Sequence, residues 1–188
     1  MILLFYKPYG VISQFTPEVS GQRTLAEFGF PPRVYPMGRL DLDSEGLLLL
    51  SDEPSISSRL LDPRAGHWRT YQVQVEGAPS EVALERLRCG ILIQGHKTRP
   101  ARIRKIASPP VPDRVPPIRI RVSVPTSWLL LELQEGRNRQ VRKMTAAVGH
   151  PTLRLLRVRM GGLALPPDLV PGVWRKLTLN ERNLLFDG

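Results

Sequence analysis

The sequence has little of what disulfide-bonded, zinc-binding or membrane-spanning proteins require. Its one cysteine, Cys89, cannot form an internal disulfide. Its three histidines, His67, His96 and His150, are far apart in the chain, which argues against a structural zinc site. No stretch approaches the ~18 apolar residues of a membrane-spanning helix, and the short apolar start MILLF lacks the basic region and cleavage site of a secretory signal. We therefore expect a cytoplasmic protein that holds no metal.

Acidic residues are also few compared with basic ones, and the imbalance lies entirely in the later part of the chain. Residues 1–62 carry five basic and eight acidic side chains, whereas residues 63–188 carry 22 and nine. Segment 97–121 has eight cations and one acid, and segment 137–159 has seven cations and none. Such asymmetry predicts a polyanion-binding face, and nucleic acid is the natural partner. A solvated basic surface without a ligand is the alternative.

The pattern of apolar residues predicts an α+β protein. A chain of 188 residues can bury roughly 70% of its unfolded surface, which suffices for one core or two lobes. Irregularly spaced strands with few helices do not suggest repeated βαβ units. Apolar runs with turn residues at their ends predict strands at 2–6, 70–76, 101–106, 118–124, 128–133 and 154–159. Helices are expected at 51–61, 80–90 and 138–148.

Proline marks two irregular segments. SPPVPDRVPP (108–117) holds five of the nineteen prolines and is predicted to be a loop that faces nucleic acid. LPPDLVPG (165–172) precedes VWRKLTLNE, for which we expect a late strand and an exposed tail. No stretch resembles a long polar linker between independent domains.

The most unusual local sequence is GRLDLDSEGLLLL (38–50), in which three carboxylates run into a buried strand. Asp41, Asp43 and Glu45 match positions 1, 3 and 5 of a calcium-binding loop. Leu47 to Leu50 would then stand where ligands belong, which argues against calcium. A plain turn whose polar side chains bond the backbone is the other structural explanation.

Two further segments contain candidate functional residues. In RTYQVQVEG (69–77), Tyr71 shares one strand face with Val73 and Val75, so it is either a core tyrosine or the wall of a base-sized pocket. In LQEGRNRQVRKMTAAVGH (133–150), a strand and a glycine turn lead into a helix whose start is crowded with cations. Such a start opposes the helix dipole unless an anion binds there.

Five ordered blocks give the chain a family resemblance. KPYGV (7–11), GRLDLDSEGLLLL (38–50), RTYQVQVEG (69–77), EGRNRQVRKM (135–144) and PGVWRKLTLNE (171–181) resemble the RsuA-type ribosomal RNA pseudouridine synthases. Residues 116–157 look closest to the branch that acts on large-subunit rRNA. The resemblance implies isomerisation of a specific uridine in rRNA, most simply 23S rRNA, without metal or organic cofactor.

The resemblance also implies a fold. It implies one catalytic domain over 1–188, with a mixed, mainly antiparallel sheet, flanking helices and two lobes that meet at a basic cleft. Many members of the family have an N-terminal S4-type RNA-binding domain. Here the catalytic blocks begin at Lys7, so we expect no such domain, and nothing requires more than a monomer.

The resemblance assigns catalytic roles to three residues. Asp41 would act on the ribose as base or nucleophile. Arg142 would pair with Asp41 and favour its ionised form. Tyr71 would stack on the flipped uracil or serve in proton transfer.

Other residues would shape the pocket or hold the RNA. Arg39 would fill the space that the target base leaves, and Val141 would help to wall the pocket. Lys7, Arg137, Arg139, Lys143 and the basic segment 97–121 would hold backbone phosphates. Three alternative functions remain open. The first is an RNA-binding or ribosome-assembly protein without catalysis. The second is a synthase that acts on 16S rRNA, and the third is a synthase that acts on tRNA.

Overall fold

The computed structural model describes residues 1–62, 64–118, 121 and 123–187. The strands are β1 (Ile2–Lys7), β2 (Tyr35–Met37), β3 (Glu45–Ser51), β4 (Arg69–Glu76), β5 (Leu92–Ile93), β6 (His96–Lys97), β7 (Arg102–Ile106), β8 (Thr126–Leu133), β9 (Thr152–Met160), β10 (Leu163–Ala164) and β11 (Trp174–Lys176). The helices are α1 (Pro54–Leu61), α2 (Glu81–Arg88), α3 (Gln140–Ala147) and α4 (Leu179–Leu184), and a 3-10 helix covers Leu25–Phe28. No helix in the described part of the chain is long and apolar enough to cross a membrane.

The chain divides into two compact units. Unit 1 comprises Met1–His67 and Arg157–Gly188, and unit 2 comprises Trp68–Leu156. In unit 1, β1 pairs with both β3 and β11, β2 pairs with β3, and β10 pairs with β9. In unit 2, β8 pairs with both β4 and β7, and β5 and β6 form a separate hairpin. These pairs are antiparallel, and Val11 and Arg23 form an isolated parallel bridge. The α+β class is confirmed.

Unit 1 buries both faces of its central strands, which explains their uninterrupted apolar sequences. Ile2 and Leu4 of β1 belong to one core cluster, while Leu3 and Phe5 belong to another. The leucines of β3 alternate between the same two clusters. A strand that is covered on both sides needs apolar residues at every position, so period-2 alternation disappears.

The described part of unit 2 has one core cluster. Alternate residues of β4 point into it, as predicted from the sequence. Tyr71, Val73 and Val75 point into a cluster with Leu84 and Leu87 of α2. Ser80 caps α2, since its side chain accepts a hydrogen bond from the Ala83 amide at 3.2 Å.

Two secondary-structure predictions are wrong. Residues 119, 120 and 122 of the strand expected at 118–124 lie outside the described residues, but the described positions of that segment are not in a strand. The expected tail forms α4, where Thr178 and Glu181 make a capping box. The T-x-x-E pattern was the available sequence signal for this helix.

The Pro-rich segment 108–117 forms neither strand nor helix, as predicted. Arg154 of β9 is 5% exposed and donates from Nη2 to the Pro112 carbonyl oxygen at 2.8 Å. This buried guanidinium therefore fastens the middle of the loop within unit 2.

Gly46 is predicted to be indispensable for the stability of unit 1. A Cβ at this position, where φ is +99°, would lie 2.3 Å from the Arg157 carbonyl oxygen and 3.0 Å from its nitrogen. These backbone atoms belong to β9 and cannot move aside cheaply, so Gly46→Ala should cost more than about 3 kcal/mol in urea unfolding. Gly21→Ala is the control, since φ is +80° there and nothing lies within 4 Å of the added Cβ; it should cost only about 1–2 kcal/mol. Equal losses in the two variants would contradict the steric explanation.

Candidate functional site

The segment that carries Asp41 is a short loop between β2 and β3. We call residues 38–44 the Asp41 loop. Leu40 is buried in the unit 1 core, Asp41 is half-buried, and Leu42 is 44% exposed. The Ser44 amide donates to the Asp41 carbonyl oxygen at 3.0 Å, which closes a turn directly after the aspartate. The loop therefore fixes the backbone of Asp41 between a buried residue and an exposed one.

Residues 7–13 brace this loop from one side. The Ser13 hydroxyl donates to the Leu40 carbonyl oxygen at 2.7 Å and accepts from the Leu40 amide at 3.0 Å. The Gly10 amide donates to the Leu42 carbonyl oxygen at 2.9 Å. Nothing in the sequence pattern singled out Ser13, because a lone serine before a loop has no distinctive spacing.

Lys7 is the third brace. Its side chain is 0% exposed, and Nζ donates to the Ser44 carbonyl oxygen at 2.7 Å and to the Pro8 carbonyl oxygen at 3.0 Å. Burial lowers the pKa of Lys7 to about 7, although the carboxylates of Glu45, Asp43 and Asp41 oppose this shift. The predicted phosphate contact of Lys7 does not fit this burial, since an ammonium without exposed surface cannot reach a phosphate in solution. Its position makes it a support of the Asp41 loop.

Arg39 lies on the same loop with its side chain 69% exposed. Its Nη2 is 3.4 Å from Gln14 Oε1 and 3.8 Å from Glu18 Oε1. These long contacts at the surface hold it weakly, because water competes for the same groups. The guanidinium can therefore change position at little cost.

Tyr71 and Val141 belong to the same core cluster of unit 2. Tyr71 is 8% exposed and Val141 is 5% exposed. Tyr71 stands opposite Leu131 in the pairing of β4 with β8. This burial agrees with a core tyrosine.

The start of α3 gathers the remaining predicted residues. Arg139 is the N-cap, with φ of +52° and no side-chain capping bond, and the first turn contains no acidic residue. Arg142 is half-buried and donates from Nη1 to the Thr152 carbonyl oxygen at 3.2 Å. Arg137 is 57% exposed, with Nε 3.8 Å from Glu135 Oε2. The expected cationic helix start is thus present in the structure.

Not every basic residue of the two cationic segments is available to a ligand. Arg154 and Arg157 are 5% and 3% exposed. Arg157 donates from Nε to the Leu47 carbonyl oxygen at 2.9 Å within unit 1. These two guanidiniums stabilise a loop and a strand within their own units, so they do not contribute to the polyanion-binding face predicted from the charge of segment 137–159. Arg119 of the other segment lies outside the described residues.

The buried Lys7 predicts a particular pH dependence of stability. Its pKa is lowered to about 7 in the folded chain from an ordinary value of 10.5. Between these values the unfolded state binds more protons, so stability from this group rises with pH by up to about 1.4 kcal/mol per unit. Below pH 7 the cost of burying the charge is at its full size.

Lys7→Met tests this prediction. Urea unfolding of wild type and variant at several pH values should give a difference in free energy that moves in favour of wild type as the pH rises from 7. Comparison at each pH cancels the contributions of the other titrating groups. A difference that stays constant with pH would contradict the assignment.

Comparisons with known proteins agree with the sequence resemblance. The family model described as RNA pseudouridylate synthase matches residues 1–147. The protein called ribosomal large subunit pseudouridine synthase E in Xanthomonas campestris pv. campestris is 52% identical over 177 residues, which cover 93% of this chain and 94% of the relative. The protein of the same name in Xanthomonas axonopodis pv. citri is 53% identical over 184 residues, or 97% of each chain.

A solved structure is also similar over almost the whole chain. The structure described as a crystal structure of pseudouridylate synthase has a TM-score of 0.80 and 28% sequence identity. The match covers 98% of this chain and 73% of the other. On these grounds the chain belongs to the RNA pseudouridylate synthase family.

Proposed function

We propose that this protein isomerises a specific uridine to pseudouridine in large-subunit ribosomal RNA, and specifically in 23S rRNA. The observation that carries the proposal is the near full-length similarity to two relatives named ribosomal large subunit pseudouridine synthase E. The braced Asp41 loop and the cationic start of α3 support it, because the reaction needs a fixed carboxylate and a polyanion-binding surface. The proposed place of action is the cytoplasm, with a single chain as the active form.

The reaction is an isomerisation and needs no external oxidant or reductant. The bond between N1 of uracil and C1′ of ribose breaks, the uracil rotates, and C5 bonds to C1′. C5 then loses its proton and N1 gains one, so the atoms balance. Asp41 acts on the ribose, either by removing a proton or by covalent attack.

The other residues are proposed in the roles that the family resemblance gives them. Tyr71 and Arg142 complete the catalytic set. Arg39 fills the space of the extruded base, which suits its weakly held side chain, and Val141 forms part of the pocket wall. Arg137, Arg139 and Lys143 bind the RNA backbone, as do exposed cations of segment 97–121.

Asp41→Asn should abolish isomerisation without abolishing binding. Replacing the carboxylate with an amide preserves the size of the side chain and the backbone hydrogen bonds of the loop, but it removes the group that could act as base or nucleophile. The rate of isomerisation should therefore fall about a thousandfold or more. Affinity for the RNA should stay within about twofold, since phosphate contacts dominate it. The measurement is carbodiimide-adduct primer extension on unmodified 23S rRNA, with binding followed by filter retention.

Asp43→Asn is the matched control, because it changes a second half-buried carboxylate of the same loop and should keep activity. Full activity in Asp41→Asn would refute the catalytic assignment. Binding without isomerisation in wild type would favour the non-catalytic RNA-binding protein. Pseudouridine formation in 16S rRNA or tRNA, and not in 23S rRNA, would show that the substrate is another RNA.

The cationic surface predicts a steep salt dependence of RNA affinity. When the logarithm of the affinity is plotted against the logarithm of the salt concentration, the slope is negative. Removing one phosphate-binding cation should reduce the magnitude of this slope by about 0.7–0.9. Arg137→Ala and Arg139→Ala should each show this loss. Arg23→Ala should not, because Arg23 pairs with Glu27 at 2.8 Å. Identical slopes in all four proteins would contradict the assignment of these arginines.

A further inference from the structure

Unit 2 contains a pocket of about 250 Å³ that lies apart from the proposed catalytic residues, although Arg137 and Lys143, proposed above to bind the RNA backbone, are among its lining. It lies between the β5–β6 hairpin and the segment that leads into α3. None of the three proposed catalytic residues lines it. The lining side chains are Ile93, Gln94, His96, Thr98, Arg137, Asn138, Gln140 and Lys143.

The chemistry of the lining suits a nucleotide. Arg137 and Lys143 are cations, and no lining residue is a carboxylate. Glu135, outside the lining, lies 3.8 Å from Arg137 Nε, but the two cations outnumber it, so an anion such as phosphate is favoured. Gln94 and Asn138 provide amides, and Ile93 provides an apolar surface. RNA-binding proteins recognise splayed nucleotides by this combination of apolar contact, hydrogen bonds to base edges and phosphate contact. The volume lies just below the roughly 300–1,000 Å³ of sites for drug-sized ligands, which fits one base.

Gln94 occupies a position that its own backbone disfavours. The hairpin turn has φ of +51° at Gln94 and +79° at Gly95. Two-residue turns with both φ values positive strongly prefer Asn-Gly, so glutamine is an expensive choice at the first position. The longer side chain reaches Lys143, whose Nζ donates to Gln94 Oε1 at 2.9 Å. This contact ties the hairpin to α3 across the pocket.

Two polar lining residues of the pocket, Gln140 and Thr98, are buried and hydrogen-bonded to the protein. Gln140 is 5% exposed, and its Oε1 accepts from the Arg137 amide at 3.0 Å while Nε2 donates to Glu135 at 2.6 Å. Thr98 is 4% exposed, and its hydroxyl accepts from the Ile91 amide at 3.0 Å. Binding groups held by such bonds are positioned before a ligand arrives.

We propose that this pocket binds one nucleotide of the substrate RNA other than the uridine that is isomerised. The base lies against Ile93 within reach of the Gln94 and Asn138 amides, and its phosphate lies at Arg137 and Lys143. The identity of the ligand as RNA rests on the proposed function. The pocket would thereby contribute to the choice of the modified site.

Amide resonances of labelled protein test the pocket independently of catalysis. Titration with the four nucleoside monophosphates and with inorganic phosphate should shift the amides of Gln94, Thr98 and Asn138, and at least one nucleotide should shift them more than phosphate does. Lys143→Met should weaken this response several-fold, whereas Arg86→Met, which removes an exposed charge on α2, should not. No shift with any nucleotide, or the same shift with phosphate alone, would overturn the proposal. A failure of rRNA isomerisation would leave this readout unchanged, so the two proposals fail separately.

Gln94→Asn separates the pocket from the fold. Asparagine suits the turn better, so thermal stability should be kept or raised, but its shorter side chain loses Lys143. RNA fragments with one abasic position each are then compared around the mapped uridine. Loss of the base at one RNA position should weaken binding to the wild type roughly tenfold. The same abasic RNA should weaken binding to Gln94→Asn much less, because this variant has already lost the Gln94 side chain that the base would contact. If every abasic position costs the two proteins equally, the pocket holds no base.

Discussion

The buried ammonium of Lys7 is the contact on which the Asp41 loop depends. A cation inside a protein is costly unless its hydrogen bonds are satisfied, and here two carbonyl oxygens receive them. Three nearby carboxylates favour its charged form, while burial disfavours it more strongly. The loop is therefore held by a group that is close to losing its proton near neutral pH. The electrostatic cost of burying this ammonium therefore falls on the loop that carries Asp41, the residue proposed to act on the ribose.

Local pattern was sufficient for most of the secondary structure. The alternation of Tyr71, Val73 and Val75 predicted both the strand and its buried face. The helix expected at 80–90 is α2, which Ser80 caps. The continuous apolar run of β3 was also informative, because only a strand covered on both faces tolerates it. α4 was missed although its capping box is readable in the sequence.

The functional site was less accessible to sequence reasoning, and the basic residues show why. Lys7, Arg154 and Arg157 look like surface cations in a linear sequence, yet each is buried against a carbonyl oxygen. Each has a partner between 37 and 110 positions away. Spacing cannot reveal such contacts. The family resemblance pointed to Asp41, whereas the bracing by Ser13 and the hairpin pocket required coordinates.

The Pro-rich segment 108–117 has a consequence for the entropy of binding. Each proline fixes one backbone angle in the unfolded chain as well as in the folded one, so ordering this loop costs less than ordering ten ordinary residues. The bond from Arg154 to Pro112 restricts it further. A long loop that is already stiff retains little conformational freedom for a ligand to remove. For the RNA contacts proposed for segment 97–121, more of the contact energy would then remain as affinity.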